Sequence, residues 1–260
     1  MGMLSGLAPW IAYWVLVGNV PLSAAAIVGL VVAAIALVLE SVTGKPERTF
    51  EIGSAAVFLV LTALTFALGS PFAQRWMLPL SAAGFFLVVL VGTLTGKPFV
   101  RPSAAAEHPA DVVKTGLFGR MVGVLSWIWL ATAAGMAVSS AIPPIARGDA
   151  TILDTTTPLS YACYWIVPFT LLALAALASR FLARRMLVGI DDLERETSFV
   201  AYDEATIDEL YYLAQEHANR EVGPGKEAYN VKVGGAGTPL TGDESRKSWP
   251  STYKVRDKRR

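Results

Sequence analysis

The chain is poor in the side chains that hold metals and cofactors. It has one cysteine, Cys163, and two histidines, His108 and His217. A single cysteine excludes an intramolecular disulfide, and histidines outside the long apolar stretches exclude bis-histidine haem within a membrane. No sequence motif indicates a serine nucleophile with its histidine and aspartate partners. We therefore predict no catalytic residue, no cofactor and no metal site.

Charge is scarce as well. Asp, Glu, Lys and Arg make up 17% of the residues and the net charge is +1, whereas soluble domains carry about 25% charged residues. A near-neutral chain lacks the basic surface that binds phosphate backbones, so we expect no nucleic-acid partner. Residues 185–260 hold 12 Lys/Arg and 14 Asp/Glu, and residues 1–184 hold 10 and 7. This distribution predicts a membrane region followed by a soluble tail.

Long stretches without any Asp, Glu, Lys, Arg or His dominate the first part of the chain. These stretches are Met1–Leu39, Ile52–Gln74, Trp76–Gly96, Met121–Ala146 and Thr155–Ser179. A helix needs about 20 mostly apolar residues to cross a bilayer, and each of the last four stretches suits one helix. Gly18, Asn19 and Pro21 form a turn signal that divides the first stretch in two. The first part is of marginal length for a span, and the second is long enough.

We therefore predict an all-α fold, a polytopic membrane helix bundle with five to six transmembrane helices. The predicted segments are 4–18, 21–41, 51–70, 75–95, 118–142 and 158–184. The first is either a short tilted span or a re-entrant arm. Pro143 and Pro144 are expected to break the fifth helix, and Pro168 is expected to kink the last. No Lys or Arg precedes the first apolar run, so we expect no cleaved signal peptide.

Basic residues predict the orientation. They concentrate in the 40–51 loop, in the 96–120 loop and after the last span, whereas the alternate loops hold only Arg75 and Arg147. Cytoplasmic loops carry the excess of Lys and Arg, so these three regions and the tail are predicted to be cytoplasmic. The predicted location is the cell inner membrane, with several spans and a cytoplasmic C-terminus.

The fifth predicted segment, 118–142, carries small residues at four-residue spacing, interrupted by Trp127. These residues are Gly119, Gly123, Ala131, Gly135 and Ser139. Residues four apart share a helix face, and small side chains let another helix approach closely. We predict that neighbouring helices pack on this face.

A short repeat occurs at two predicted cytoplasmic helix ends, Thr43-Gly44-Lys45-Pro46 and Thr95-Gly96-Lys97-Pro98. Glycine can end a helix in a left-handed cap, and lysine favours the negative helix end. The repeat is therefore typical of a helix stop used twice. A duplicated hairpin and a lipid-headgroup contact through Lys45 and Lys97 are alternatives.

The predicted tail contains one amphipathic helix over 203–221. Asp203 suits its N-cap, and Ile207, Leu210, Tyr211 and Ala214 form one apolar stripe. Residues 223–260 are rich in Gly, Pro, Ser and Lys, a composition that predicts no core of their own. We predict that the tail docks on a partner, and the candidate contact residues are Ile207, Leu210, Tyr211, Trp249 and Tyr253.

Four features carry a resemblance to a known family. The first segment is short and aromatic, with Trp10, Tyr13 and Trp14, and the second helix is rich in small residues. A later helix ends in Leu94-Thr95-Gly96-Lys97-Pro98-Phe99, and Ser126-Trp127-Ile128-Trp129 stands at the start of a following span. Over residues 8–142 the chain resembles the bacterial septation protein A family of inner-membrane proteins. The resemblance implies a non-enzymatic role in envelope organisation with partner proteins in the membrane. The sixth segment and the long tail depart from that pattern, and no binding residue is carried over.

Two functional hypotheses follow, and a membrane enzyme is a third, weaker class. The first is a non-catalytic accessory or scaffold protein, a subunit of a larger inner-membrane complex that docks through its cytoplasmic tail. Its partners would be the lipid bilayer and other proteins of that complex. The alternative is a small transporter or lipid-handling protein that uses the Asn19–Pro21 break and the two Thr-Gly-Lys-Pro turns. The sequence does not determine an oligomeric state.

Overall fold

The computed structural model describes residues 2–42, 48–108, 110–154, 156–186, 194–223, 225–241 and 243–258. The chain divides into two compact units. The first, here called the helical unit, comprises Met1–Glu107 and Met121–Ala183. The second, here called the C-terminal unit, comprises His108–Arg120 and Arg184–Arg260.

Helices form all the regular secondary structure of the described helical unit. Their bounds are α1 Gly2–Leu16, α2 Leu22–Val42, α3 Thr49–Ala67, α4 Ser70–Leu94, α5 Val100–Ala106, α6 Ala110–Val113, α7 Gly116–Ala146, α8 Pro158–Tyr161, a π-helix Ala162–Ile166 and α9 Val167–Met186; α6 and the first residues of α7 lie in the C-terminal unit. Within the described ranges, five helical stretches are long and apolar enough to cross a membrane. This part of the fold prediction is confirmed, and α1 is the shorter sixth segment.

The short α1 is an integral part of the helical unit. Trp10, Tyr13 and Trp14 are all buried. The Trp10 ring lies 4.8 Å from the ring of Phe58 and 5.1 Å from that of Phe85, between centroids. Aromatic pairs at these separations stabilise a core beyond the area they bury. Residues of α1, α3 and α4 therefore share one aromatic core.

Indole N–H groups in this unit donate to serine hydroxyls on other helices. Trp10 Nε1 donates to Ser54 Oγ at 2.9 Å, and Trp14 Nε1 donates to Ser81 Oγ at 3.1 Å. Trp129 Nε1 of α7 donates to Ser179 Oγ of α9 at 3.0 Å. Each pair satisfies a buried donor that would otherwise cost free energy in an apolar interior.

Glycine allows close contact between neighbouring helices at several positions. A Cβ added at Gly29 of α2 would lie 2.7 Å from the Phe58 ring, and one at Gly84 of α4 would lie 2.5 Å from Val57 Cγ1. Both neighbours belong to α3. Any larger side chain would force α3 away from α2 or α4.

Two proline predictions have different outcomes. The break expected at Pro143 and Pro144 is wrong, because α7 continues through both residues to Ala146. Pro144 O is one of the last carbonyls of the helix, which lack intrahelical donors, and Arg75 Nη2 donates to it at 2.6 Å. The kink expected at Pro168 stays a prediction; Pro168 is the second residue of α9, one residue after the π-helix Ala162–Ile166. A wider π-turn relieves the clash that a proline ring makes with the carbonyl four residues earlier.

The all-α prediction is wrong for the C-terminal unit, which contains a four-stranded antiparallel sheet. Its elements are β1 Arg195–Tyr202, α10 Ile207–Val222, β2 Lys226–Val233, β3 Thr238–Leu240 and β4 Asp243–Asp257. The order is β1-β4-β2, and β3 also pairs with β4. Strands β1 and β2 both run antiparallel to β4 between them and are joined by α10, which is a split β-α-β arrangement.

The C-terminal segment does build a core, contrary to expectation. Ala228 of β2 and Tyr253 and Val255 of β4 are buried together against Ala218 and Val222 of α10. The composition-based prediction failed for two reasons. In β4, buried residues alternate with small or polar residues that face outward, and a narrow core needs few large side chains.

The amphipathic helix exists, but it begins later than predicted. Its N-cap is Thr206, whose hydroxyl accepts from the Glu209 N–H, while the Glu209 carboxylate accepts from the Thr206 N–H. This capping box satisfies two free N–H groups of the first turn. Asp203 instead lies in the preceding turn and pairs with Lys247 at 2.5 Å.

Candidate functional site

A polar cluster around Asp154 organises the connection before α8. The Asp154 carboxylate accepts from Arg147 Nη1 at 3.2 Å, from the Thr157 hydroxyl at 3.0 Å and from the Ser160 hydroxyl at 3.3 Å. The Thr157 hydroxyl contributes most to holding the pKa of Asp154 below its ordinary value, and desolvation opposes it. These donors lie on both sides of the connection, at Arg147 after α7 and at Thr157 and Ser160 around the start of α8, which is typical of a structural turn.

A buried phenol lies between the helices next to this region. The Tyr164 side chain is buried, and its hydroxyl has no hydrogen-bond partner among the described residues. It lines a cavity of about 10 Å³ together with Trp14, Leu78, Met136 and Ser140. A cavity of this size holds about one water molecule. It has no room for a transported solute.

The Asn19–Pro21 break is an exposed turn. Asn19 is exposed, and its Nδ2 donates to Val15 O at 2.7 Å. This bond satisfies one of the free carbonyls at the end of α1. The chain packs tightly here, because a Cβ at Gly18 would lie 2.4 Å from the Trp165 ring.

The second Thr-Gly-Lys-Pro turn is a complete helix stop. Gly96 has a φ of 71°, Lys97 N–H donates to Gly92 O at 2.8 Å, and Gly96 N–H donates to Thr93 O at 3.3 Å. These two bonds define a Schellman motif, and the positive φ explains the glycine. Lys97 is exposed. The first turn, with Lys45, lies outside the described residues, so the lipid-headgroup contact stays a prediction.

The predicted small-residue face of α7 divides into two parts. Near its end, a Cβ at Gly135 would lie 2.9 Å from Leu171 Cδ1, and Ser139 Oγ donates to Cys163 O at 2.8 Å. At Gly119 and Gly123, an added Cβ would have no described neighbour within 4 Å. Ala131 is exposed. Close contact on this face is therefore observed at Gly135 and Ser139.

The C-terminal unit contains a mixed-charge cleft of about 720 Å³. Its charged lining residues are Lys114, Arg120, Glu194, Arg195, Glu196 and Glu221. Three cations face three carboxylates, so the cleft has no net charge with which to attract an ion. Among the described residues, no group of three His, Cys, Asp or Glu could hold a metal ion.

Buried Tyr253 and exposed Glu221 form a hydrogen-bonded pair in the lining of this cleft. Tyr253 Oη donates to Glu221 Oε2 at 3.1 Å, and Thr197 Oγ1 donates to Glu221 Oε1 at 3.0 Å. Burial and then the Glu221 charge raise the pKa of Tyr253 to about 12, which keeps the phenol neutral at physiological pH. A neutral phenol that donates to its carboxylate is a structural pair, with no activated nucleophile.

A second surface of this unit combines exposed aromatic rings with carboxylates. A shallow groove of about 660 Å³ is lined by Tyr202, Tyr212, Leu213, Glu204, Asp208 and Glu209. We call this surface the tyrosine groove. Tyr202 is 58% exposed and Tyr212 is 70% exposed. All the ionised side chains of its lining are acidic, and exposed aromatic rings of this kind are enriched at protein interfaces.

The five predicted docking residues divide between core and surface. Leu210 and Tyr253 are buried in the C-terminal unit, and Trp249 is partly buried against the same core. Ile207 is 72% exposed, and Tyr211 is also exposed. Both lie on α10 beside the tyrosine groove. Sequence reasoning overlooked Tyr212, although an aromatic ring on the polar side of an amphipathic helix is itself a signal of an interface.

Comparison of the chain with family models, curated proteins and solved structures finds no match. The resemblance to the septation protein A family therefore stays a prediction.

Proposed function

We propose that this chain is a non-catalytic accessory or scaffold protein of a bacterial-type inner membrane, and that its C-terminal unit docks on a partner protein. The observation that carries the proposal is the tyrosine groove. It presents exposed aromatic rings and carboxylates on a folded unit, with Ile207 and Tyr211 beside it. The occupant that fits this chemistry is a segment of a partner protein with basic and apolar side chains.

The surface of the helical unit supports membrane insertion. Large apolar side chains point outward along its long helices, for example Val42, Leu94 and Trp127. Water would disfavour so many exposed apolar groups, whereas lipid solvates them. The distribution of Lys and Arg then favours a cytoplasmic C-terminal unit.

Two features of the described helices favour the accessory role over transport. The five long apolar helices carry no Asp, Glu, Lys or Arg in their central parts. Transport paths for ions and protons are lined by such groups. The cavity beside Tyr164 has room for about one water molecule.

Native-membrane pulldowns of the full-length protein test the docking role. We expect Tyr212→Ala combined with Ile207→Ala to lose a set of partner proteins that the unchanged chain retains in mild detergent. Tyr229→Ala is the matched control, since it removes a tyrosine from β2 outside the groove.

An unchanged set of partners in the double variant would contradict the docking role. Equal loss in the Tyr229→Ala control would also contradict it, because the effect would then not belong to the groove. Hydrogen exchange of β4 in each variant would show that the C-terminal unit keeps its fold.

The transporter or lipid-handling alternative stays a prediction, with its own test. Lys45→Ala and Lys97→Ala together should abolish binding to vesicles that contain anionic lipid if the two turns hold headgroups. Unchanged binding would leave both turns as helix stops.

A further inference from the structure

Strand β1 is an open edge of the sheet in the C-terminal unit. The order β1-β4-β2 leaves one side of β1 without a neighbouring strand among the described residues. Its pairing with β4 runs from Arg195 to Tyr202 without a bulge. The strand contains neither proline nor lysine. Proteins use bulges, prolines, edge lysines and inward-pointing charges to prevent unwanted pairing, and β1 has only the last of these, the buried Arg195 at its first position.

The hydrogen bonding of β1 shows which backbone groups are on that open side. Asp203 N–H donates to Ser245 O directly after the Tyr202–Arg246 pair. Antiparallel pairs alternate between hydrogen-bonded and non-hydrogen-bonded residues, so Tyr202 and every second residue before it direct N–H and C=O away from β4. Those residues are Glu196, Ser198, Val200 and Tyr202.

The same four residues also have exposed side chains, on the face of the sheet opposite to the buried Phe199 and Ala201. Val200 is 50% exposed and Tyr202 is 58% exposed. A β-branched and an aromatic residue on an unprotected edge are suited to cross-strand pairing.

We propose that β1 pairs antiparallel with β1 of a second copy of this chain, on a two-fold axis at Phe199. In this register Glu196 lies opposite Tyr202 of the other copy, and Ser198 lies opposite Val200. It is the register in which all four outward residues find outward partners. A symmetric edge pairing of this kind closes at two copies, which is the commonest form of homo-oligomer. The inference goes beyond the proposed function and does not depend on it.

Charge complementarity favours a second copy as the occupant. Arg246 lies over the Tyr202 ring, 5.1 Å from its centroid, and its Nη2 donates to the Tyr202 hydroxyl at 3.2 Å. The guanidinium is therefore on the face that Glu196 of the opposite copy reaches. The two-fold axis creates this contact twice, once at each end of the pair.

Disulfide trapping in native membranes tests both the pairing and its register. The full-length chain with Cys163→Ser would be co-expressed in two differently tagged copies, one carrying Ser198→Cys and the other Val200→Cys. Opposite residues have Cα atoms about 5.5 Å apart, within disulfide range. Identical residues would be diagonal neighbours about 7–8 Å apart, too far for an unstrained bond.

We expect most of the disulfide formed on oxidation to be the mixed disulfide. Either variant expressed alone should give a disulfide yield near background. Asp208→Cys on exposed α10 measures that background of random collisions. A mixed disulfide no greater than this background would overturn the proposal. So would a dominant Val200→Cys link to itself, which requires another register, or links only to a different protein, which would assign the edge to that protein.

Hydrogen exchange of the full-length protein gives a second measurement without a cross-link. The outward amides of Ser198 and Val200 should exchange as slowly as the inward amide of Phe199. In a Val200→Pro variant, the Ser198 amide should exchange fast while the Phe199 amide stays protected, because the substitution removes only an outward N–H. Fast exchange at Ser198 in the unchanged protein would overturn the pairing.

Discussion

The two units bury their polar and aromatic groups in different ways. In the helical unit, large indoles from α1 and α7 are buried and each donates to a serine on another helix, as in the Trp129–Ser179 pair. In the C-terminal unit, the core consists mainly of alanine and valine around Phe199 and Tyr253. Ion pairs such as Lys232–Glu194 and Arg256–Glu227 lie on its surface.

The difference follows from the two solvents that we propose. Lipid provides no hydrophobic force between helices, so close packing and buried hydrogen bonds hold them together. Water drives apolar side chains inward, so a strand needs only alternate residues of modest size to form a core.

Tyr253→Ala should destabilise the C-terminal unit most, by about 3–5 kcal/mol, because it removes a fully buried ring from a small core. Hydrogen exchange of β4 in the full-length protein measures the loss. Tyr253→Phe is the matched control and should cost only about 1 kcal/mol, the value of its bond to Glu221. Equal losses in both variants would mean that the hydrogen bond, and not the ring, holds this unit together.

Gly84→Ala should destabilise the helical unit by about 1–3 kcal/mol, since the new Cβ would lie 2.5 Å from the stiff Val57 side chain. Thermal unfolding in mild detergent measures this. Gly123→Ala, which has no described neighbour within 4 Å, should be neutral or stabilising because alanine is the better helix former. A loss at Gly123 that equals the loss at Gly84 would show that close packing does not distinguish the two sites.

Ser179→Ala should cost less, about 0.6 kcal/mol and at most about 1.7 kcal/mol, the range for polar contacts between membrane helices. It leaves the buried Trp129 N–H without its partner. Ser41→Ala is a suitable control, because its exposed hydroxyl bonds only within α2 to Val38 O. Thermal unfolding of the two variants compares their losses of stability. An equal loss in both would mean that the indole–serine bond does not stabilise the helical unit.

The Asp154 cluster should respond to acid. The pKa of Asp154 is lowered in the folded protein, so its stabilising effect is complete above the ordinary value of 3.8 and decreases as pH falls below it. Hydrogen exchange at residues 150–158 should therefore accelerate in this acid range. Asp154→Asn should lack the pH step, and a step that persists in this variant would belong to another group.

Much of the helical unit could be predicted from the sequence, because a bilayer-length apolar run has few alternative structures. The Thr-Gly-Lys-Pro turn at Lys97 was also predictable, since Gly96 needs a positive φ. The sheet was not. In β1 the buried side of the strand includes Arg195 as well as Phe199 and Ala201, so hydrophobic alternation gave a weak signal.

The candidate docking surface depended even more on tertiary structure. Leu210 and Ile207 are both apolar and three residues apart on α10, yet one is buried and the other exposed. Which of them is free for a partner depends on where the sheet packs against the helix. The packing of the sheet depends in turn on the pairing of β1 with β4, which joins residues about 50 positions apart.

The sequence alone was enough to predict where the long apolar helices lie, and it contains no metal-binding or nucleophilic motif. Both depend on composition and local spacing, which act within a few residues of the chain. Tertiary structure decided which glycines touch a neighbour, where the tyrosines are exposed and that β1 is an edge. Those features arise from contacts between distant segments, and local patterns carry little information about them.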